Sequence, residues 1–131
     1  YIVKNGDRPD IVSNKLYGDP NYDWILLIAN DMYSVYDDWP RNSFDLETFI
    51  IEKYGCLSSA MSTVKYYYNS SLDIIDETTY NNLASTARRS ETQYEYELRV
   101  NSNKAKIKVV KRSLITAITS DLNTIAKRPV L

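Results

Sequence analysis

Hydrophobic and polar positions change their period several times along the chain, and each change marks an element. Tyr1 to Lys4 is a short β-rich run that ends at Asn5-Gly6, a turn pair in which glycine supplies positive φ without steric cost. Asp7 is then placed to cap a helix whose first turn accepts Pro9 and whose apolar side is Ile11, Val12 and Leu16. Gly18 stands where such a helix stops, and Asp19-Pro20 repeats the start signal at once. From Asn21 to Asn30 the helix pattern is apolar nearly all round, which predicts burial of Trp24, Leu26, Leu27 and Ile28. A third helix is expected from a Ser43 cap to Tyr54, with Leu46, Phe49 and Ile50 inward and Gly55 as the stop.

Period two takes over in the second half. Thr63 to Tyr68 and Leu72 to Asp76 flank Asn69-Ser70-Ser71 and read as a β-hairpin. Cys56 to Ser62 and Ala84 to Ser90 read as loops, with a helical turn at Thr78 to Leu83. Tyr94, Tyr96, Leu98 and Val100 alternate with Glu95, Glu97 and Arg99, and Ala105, Ile107 and Val109 alternate with lysines. Joined at Asn101-Ser102, these runs predict a second hairpin with Glu97 opposite Lys106 and Glu95 opposite Lys108, pairs worth about a few tenths of a kcal/mol each. The rival reading is a helix from Ser90, with Ser90 and Gln93 as a capping box. Last, Leu114, Ile115, Ile118, Leu122 and Ile125 form a stripe at helical spacing that either closes the fold, the favoured reading, or docks on a neighbour, before Pro129 ends the helix. The class expected is α+β, as a single domain over 1–131.

Composition narrows the chemistry. The 131 residues suffice for a packed core, and 16 basic against 17 acidic residues leave a net charge of -1 that draws in neither nucleic acid nor an anionic membrane. With no histidine and Cys56 as the only cysteine, Ser/His/Asp and Cys/His triads and zinc sites built on those residues are excluded, and no cofactor is implied. Acidic residues such as Asp37, Asp38, Glu47 and Glu52 stand at no spacing that defines a carboxylate pair, so they read as a solvated face or as helix caps, and no enzyme is expected. Lys104, Lys106, Lys108, Lys111 and Arg112 could form a basic strip, but Glu95 and Glu97 offset it and no stacking aromatics share its side. Tyrosine dominates the aromatics, with 12 Tyr against 2 Trp and 2 Phe. It suits interfaces because it joins a large apolar ring to a hydroxyl that can stay hydrated, although it also fills strands and shallow cores.

The order strand, helix, helix in Tyr1 to Asn30 resembles the opening of a LysM module. That likeness implies glycan binding through Gly6 and Asp7 in the first loop and through Asn30 and Asp31, although Gly6-Asp7-Arg8-Pro9 departs from the usual Gly-Asp-Thr. A broader resemblance is to the gene product 53 baseplate wedge family of T4-like contractile-tailed bacteriophages. It rests on Arg8-Pro9, Tyr17-Gly18-Asp19-Pro20, Tyr22-Asp23-Trp24-Ile25-Leu26-Leu27, Asn30-Asp31, Lys53-Tyr54, Ile74-Ile75-Asp76, Tyr94-Glu95-Tyr96-Glu97 and Ile107-Lys108.

That resemblance implies a virion tail protein, assembled in the host bacterial cytoplasm, that joins neighbouring wedges into a six-fold ring. Its partners would be other baseplate wedge proteins and the sheath-initiating protein, with no nucleic acid and no membrane. It also implies a segment before Tyr1, and a LysM-like core of about 1–31 plus 104–110 in which Ile107 to Val110 pairs with Tyr1 to Lys4. An insertion of about 32–103 and a C-terminal helix of about 112–127 complete the expected layout. The candidate interface residues are Tyr33, Tyr36 and Trp39 after the second helix and Tyr66, Tyr67 and Tyr68 in the middle hairpin. Neighbours on a strand point to opposite sides, so those last three cannot all face one core.

Overall fold

The computed structural model describes residues 1–127. In chain order the helices are α1 (Pro9–Tyr17), α2 (Asp23–Ala29), α3 (Val35–Asp38), α4 (Ser43–Tyr54), α5 (Leu57–Ser62), α6 (Glu77–Asn82), α7 (Gln93–Lys104) and α8 (Ile115–Ala126). The strands are β1 (Val64–Asn69), β2 (Ile74–Ile75) and β3 (Arg88–Thr92), so the class is α+β. The chain divides into two compact units, Tyr1–Pro40 with Lys104–Leu131, and Arg41–Asn103.

In the first unit, residues distant in sequence close a small core. Ile2 bridges Lys106 in antiparallel sense, the Val3 amide donates to the Ala105 carbonyl at 2.8 Å, and the Ile107 amide donates to Tyr1 at 3.0 Å. The pairing is centred on Lys106 and does not extend to Val110. Val3 and Ile107 thereby point into a cluster with Val12, Tyr17, Ile25, Leu26, Trp39 and Ile115. Asn30 adds a second closure: its amide donates to the Lys108 carbonyl at 2.9 Å and accepts from the Lys108 amide at 2.7 Å, as a strand neighbour would. The buried Tyr17 ring reaches the same returning segment, its hydroxyl donating to Val110 at 3.0 Å.

Local signals set the helix ends. Pro9 occupies the first turn of α1, where its missing N–H costs nothing, and Gly18 adopts φ +78 to end the helix. Asp7 does not cap α1; Arg8 takes the cap position, and the Asp7 carboxylate instead binds Lys15 at 2.8 Å. A 3-10 turn over Pro20–Tyr22, capped by Asp19, leads into α2. Burial of α2 is one-sided: Ile25 and Leu26 are enclosed, whereas Ile28, expected in the core, is 67% exposed. In α8 only Ile115 is buried, Ile118 is half-buried, and Leu122 and Ile125 lie open, so the stripe contributes its first turns to the core. The expected stop at Pro129 lies outside the described residues.

The second unit packs α4, α5 and the start of α7 around Leu46, Ile50 and Ala60, with Phe49, Tyr54, Leu57 and Tyr94 around them. The antiparallel sheet has the order β2-β1-β3. The middle hairpin is present, with Tyr67 opposite Ile75 and Tyr68 opposite Ile74. On its other side β1 pairs with β3, so most of the stretch expected as a loop at Ala84 to Ser90 is instead a 3-10 turn and a strand. Cys56 to Ser62 is likewise mostly helical, because the Cys56 sulfur accepts the Ser59 amide at 3.4 Å and starts α5. For α4 the cap is Asn42, one residue before the one expected, accepting from Asp45 at 2.9 Å.

The second predicted hairpin does not form. Residues 93–104 are α7, so the helical alternative holds, started two residues later than its proposed box. Thr92 and Glu95 cap it reciprocally: the Thr92 amide donates to the Glu95 carboxylate at 2.8 Å and the Glu95 amide to the Thr92 hydroxyl at 3.2 Å. The alternation misled because Glu97 is buried, so polarity and exposure part company in this run. Near the end of α7 Asn101 repeats the device of Asn30, donating to the Arg41 carbonyl at 2.9 Å and accepting from its amide at 2.7 Å.

Each amide thus closes one unit. We expect Asn30→Ala and Asn101→Ala each to destabilise the protein by about 1–2 kcal/mol, the cost of losing paired hydrogen bonds in partly exposed sites. Urea midpoints measure this, and unchanged midpoints in both variants would show that the clamps do not hold the fold closed.

Candidate assembly surface

Between α2 and Trp39 the chain makes a hydrogen-bonded knuckle. The Asp38 carboxylate accepts from the amides of Ser34 at 2.9 Å and Tyr33 at 2.8 Å, which holds its pKa below the ordinary carboxylate value. Ser34 caps α3 by accepting from the Asp37 amide, and the Lys104 ammonium donates to the Asp37 carbonyl. Trp39 then plunges into the core at 5% exposure, its indole N–H donating to the Asp7 carbonyl at 2.8 Å. Trp39 is therefore not the surface contact that the sequence suggested; it ties the knuckle down. Tyr33 and Tyr36 stand out at 95% and 87% exposure, with Val35 exposed between them. Exposed aromatics on a braced turn can bind a partner with little ordering cost, since only two side-chain torsions are fixed on contact.

In the second unit the three consecutive tyrosines divide between the two faces of the sheet. Lys65 is an extra residue in β1, a bulge between the pairs Val64 with Thr92 and Tyr66 with Glu91. Tyr66 and Tyr68 lie on one face, where Tyr66 meets Tyr96 of α7 edge-on at 5.7 Å. Tyr67 lies on the other, 4.6 Å from Tyr80 of α6, whose ring also carries Arg88. All three are half-buried, so their rings serve packing within the unit as well as surface.

Two buried carboxylates organise this unit. Glu91 accepts two hydrogen bonds from Arg99, at 2.7 and 3.1 Å, and one from the Tyr68 hydroxyl at 3.0 Å. The Arg99 bond, with Tyr68 and the nearby cations, outweighs desolvation and lowers the pKa of Glu91 below its ordinary 4.5. At Glu97 burial alone would raise the value, but hydrogen bonds from Lys53 and Tyr54, each 2.7 Å, and the charges of Lys53 and Lys65 reverse it to a net lowering. The sequence reading does not single out Glu91, and it names Glu97 only as a strand partner of Lys106. Helical spacing of Tyr94, Glu97 and Asn101 was the signal that could have placed Glu97 inward.

The remaining candidate groups are mostly occupied within the first unit. Asp7 binds Lys15, Asn30 binds Leu26 and Lys108, Gly6 turns the chain at φ +83, and Asp31 stands at φ +54 after α2. Asp37 and Asp38 serve α3, while Glu47 and Glu52 lie exposed along α4. The lysines expected on one strand face are dispersed, Lys104 ending α7 and Lys106 sitting on the bridge. Among the described residues no group of three or more acidic or cysteine side chains is placed to hold a metal, and no helix is long and apolar enough to cross a membrane.

The two glutamates predict an acid-sensitive second unit. Groups with lowered folded values stabilise above their unfolded value and lose that contribution as pH falls through the folded one. Urea midpoints should therefore drop on going below about pH 4.5, and Glu97→Gln should shrink the drop. An identical acid profile in Glu97→Gln would remove Glu97 from the cause.

Comparison with known proteins adds to this geometry. Residues 1–83 match the family described as base plate wedge protein 53. The baseplate wedge protein gp53 of Enterobacteria phage T4 is 35% identical over 54 residues, covering 41% of this chain and 28% of that protein. The match thus spans under a third of that relative's length.

Proposed function

The chain belongs to the base plate wedge protein 53 family, and from that premise we propose that it joins neighbouring subunits of a contractile phage tail baseplate. The family supports a structural subunit located in the virion tail baseplate. The observation that carries the finer reading is the knuckle: Tyr33 and Tyr36 are almost fully exposed on backbone braced by Asp38, Ser34 and Trp39. Exposed tyrosines have no packing role of their own, whereas tyrosines are preferred energetic centres of protein interfaces. The action is packing and hydrogen bonding rather than catalysis. Other wedge proteins and the sheath-initiating protein are the partners in this reading, within a six-fold ring assembled in the bacterial cytoplasm.

We read the first unit as a LysM-like core. The Ile2 to Lys106 bridge with α1 and α2 between its strands supports that order, and residues 41–103 take the place of an insertion. Internal engagement of Asp7 and Asn30 favours a core that serves as scaffold over one that binds a glycan.

The test is Tyr33→Ala with Tyr36→Ala. The pair should change folding stability by no more than about 0.5 kcal/mol each, as expected for exposed positions. Incorporation into baseplates should fall sharply, since interface centres cost about 2 kcal/mol or more when truncated. Quantitative mass spectrometry of purified tails reads the outcome; wild-type stoichiometry of the double variant would overturn the proposal.

A further inference from the structure

The sheet face that carries Tyr66 and Tyr68 holds a cleft of about 210 Å³, lined by Tyr68, Leu72, Arg89, Glu91 and Arg99. That is smaller than the roughly 300–1,000 Å³ of small-molecule and cofactor pockets, and suits one or two side chains of another protein. Its charges do not cancel. Glu91 is 2% exposed and fully engaged by Arg99 and Tyr68. Arg89, directly across from Tyr68 in the neighbouring strand, adds its charge to the field on Glu91, but its guanidinium makes no hydrogen bond or ion pair among the described residues. One guanidinium is thus left at the cleft with its planar fork of donors open, a geometry matched by a carboxylate.

Leu72 supplies an independent observation. It takes φ +65, a left-handed conformation that glycine or asparagine adopts at far lower steric cost. The tight turn imposes it: the Leu72 amide donates to the Asn69 carbonyl at 3.0 Å, while the Asn69 side chain accepts from Ser71 at 2.9 Å and Asp73 at 3.0 Å. A bulky apolar residue in that position gains little burial inside the unit, because Leu72 is 64% exposed. It lines the cleft together with Tyr68.

We propose that this cleft docks an acidic segment of a neighbouring baseplate protein, one Asp or Glu carboxylate pairing with Arg89 and an adjoining apolar side chain resting against Leu72 and Tyr68. The inference rests on the reading of the protein as an assembly subunit and adds a second contact, with its own chemistry, to the tyrosine knuckle. Charge complementarity selects the partner: a basic segment would oppose Arg89, and a neutral one would desolvate it with only Glu91, already engaged by Arg99, as counter-charge.

The test places a photoreactive benzophenone amino acid at position 72, and separately at position 33, of the whole protein in assembled phage tails. Cross-linked peptides are then identified by mass spectrometry. Position 72 should capture a peptide with Asp or Glu close to the attachment point. Arg89→Glu should lower that yield by about tenfold or more, while Arg89→Lys holds it within about threefold. Because Arg89 is exposed, both variants should keep the wild-type urea midpoint. Capture at position 33 but none at 72 would overturn the cleft proposal and leave the assembly reading standing. Capture at 72 of a segment without carboxylates, or a yield indifferent to Arg89→Glu, would also overturn it. Failure at both positions would remove both.

Discussion

The first unit depends on a closure made across nearly the whole chain: Tyr1, Ile2 and Val3 must find Ala105, Lys106 and Ile107. Until they do, the core around α1 and α2 is incomplete, because Val3 and Ile107 supply part of the small apolar cluster that buries Val12, Ile25 and Leu26. Closing so long a loop carries an entropic cost that grows only slowly with length, so a large intervening segment is tolerable once the ends are well held. Asn30 meets that need. Its side-chain amide reproduces the donor and acceptor pattern of a strand and extends the bridge by one residue where no strand is available.

The second unit solves the same problem in the same way, with Asn101 bonded to both backbone groups of Arg41. Its interior is more polar. Glu91 and Glu97 are buried charges, and each is tolerated because a cation and a tyrosine hydroxyl answer it directly. Such pairs add little net stability compared with apolar packing, but breaking one exposes the full desolvation cost of its partner. They fix the sheet face and α7 in a single arrangement, which is what a surface built from half-buried tyrosines requires.

Much of this was legible in the sequence where a residue type has one local use. Pro9, Gly18, Asp19-Pro20, Gly55 and the Asn69-Ser70-Ser71 turn all mark boundaries that the structure respects to within a residue or two. The run from Tyr94 to Val100 was misread because alternating polarity stands for alternating exposure only when charged residues are outside, and Glu97 is inside. Trp39 was misjudged for the converse reason: an aromatic in a polar loop reads as exposed, whereas its indole N–H has a buried carbonyl to satisfy. The β3 strand carries Arg88, Arg89, Ser90 and Glu91, a composition with no apolar signal, and only its pairing with β1 makes it a strand. At the proposed assembly surface Tyr33 and Tyr36 are visible as candidates in the sequence, but the bracing by Asp38 that makes them a fixed feature is not.

What joins these observations is a division of labour in which half-buried amide clamps and the buried Trp39 hold the backbone so that tyrosines can face outward. The most direct measurement is a cryo-electron-microscopy reconstruction of the assembled tail at a resolution that shows side chains. The account predicts that Tyr33 and Tyr36 lose nearly all their exposure against a neighbouring baseplate protein, with the α3 backbone unchanged. Both rings left in solvent in the assembled particle would contradict it.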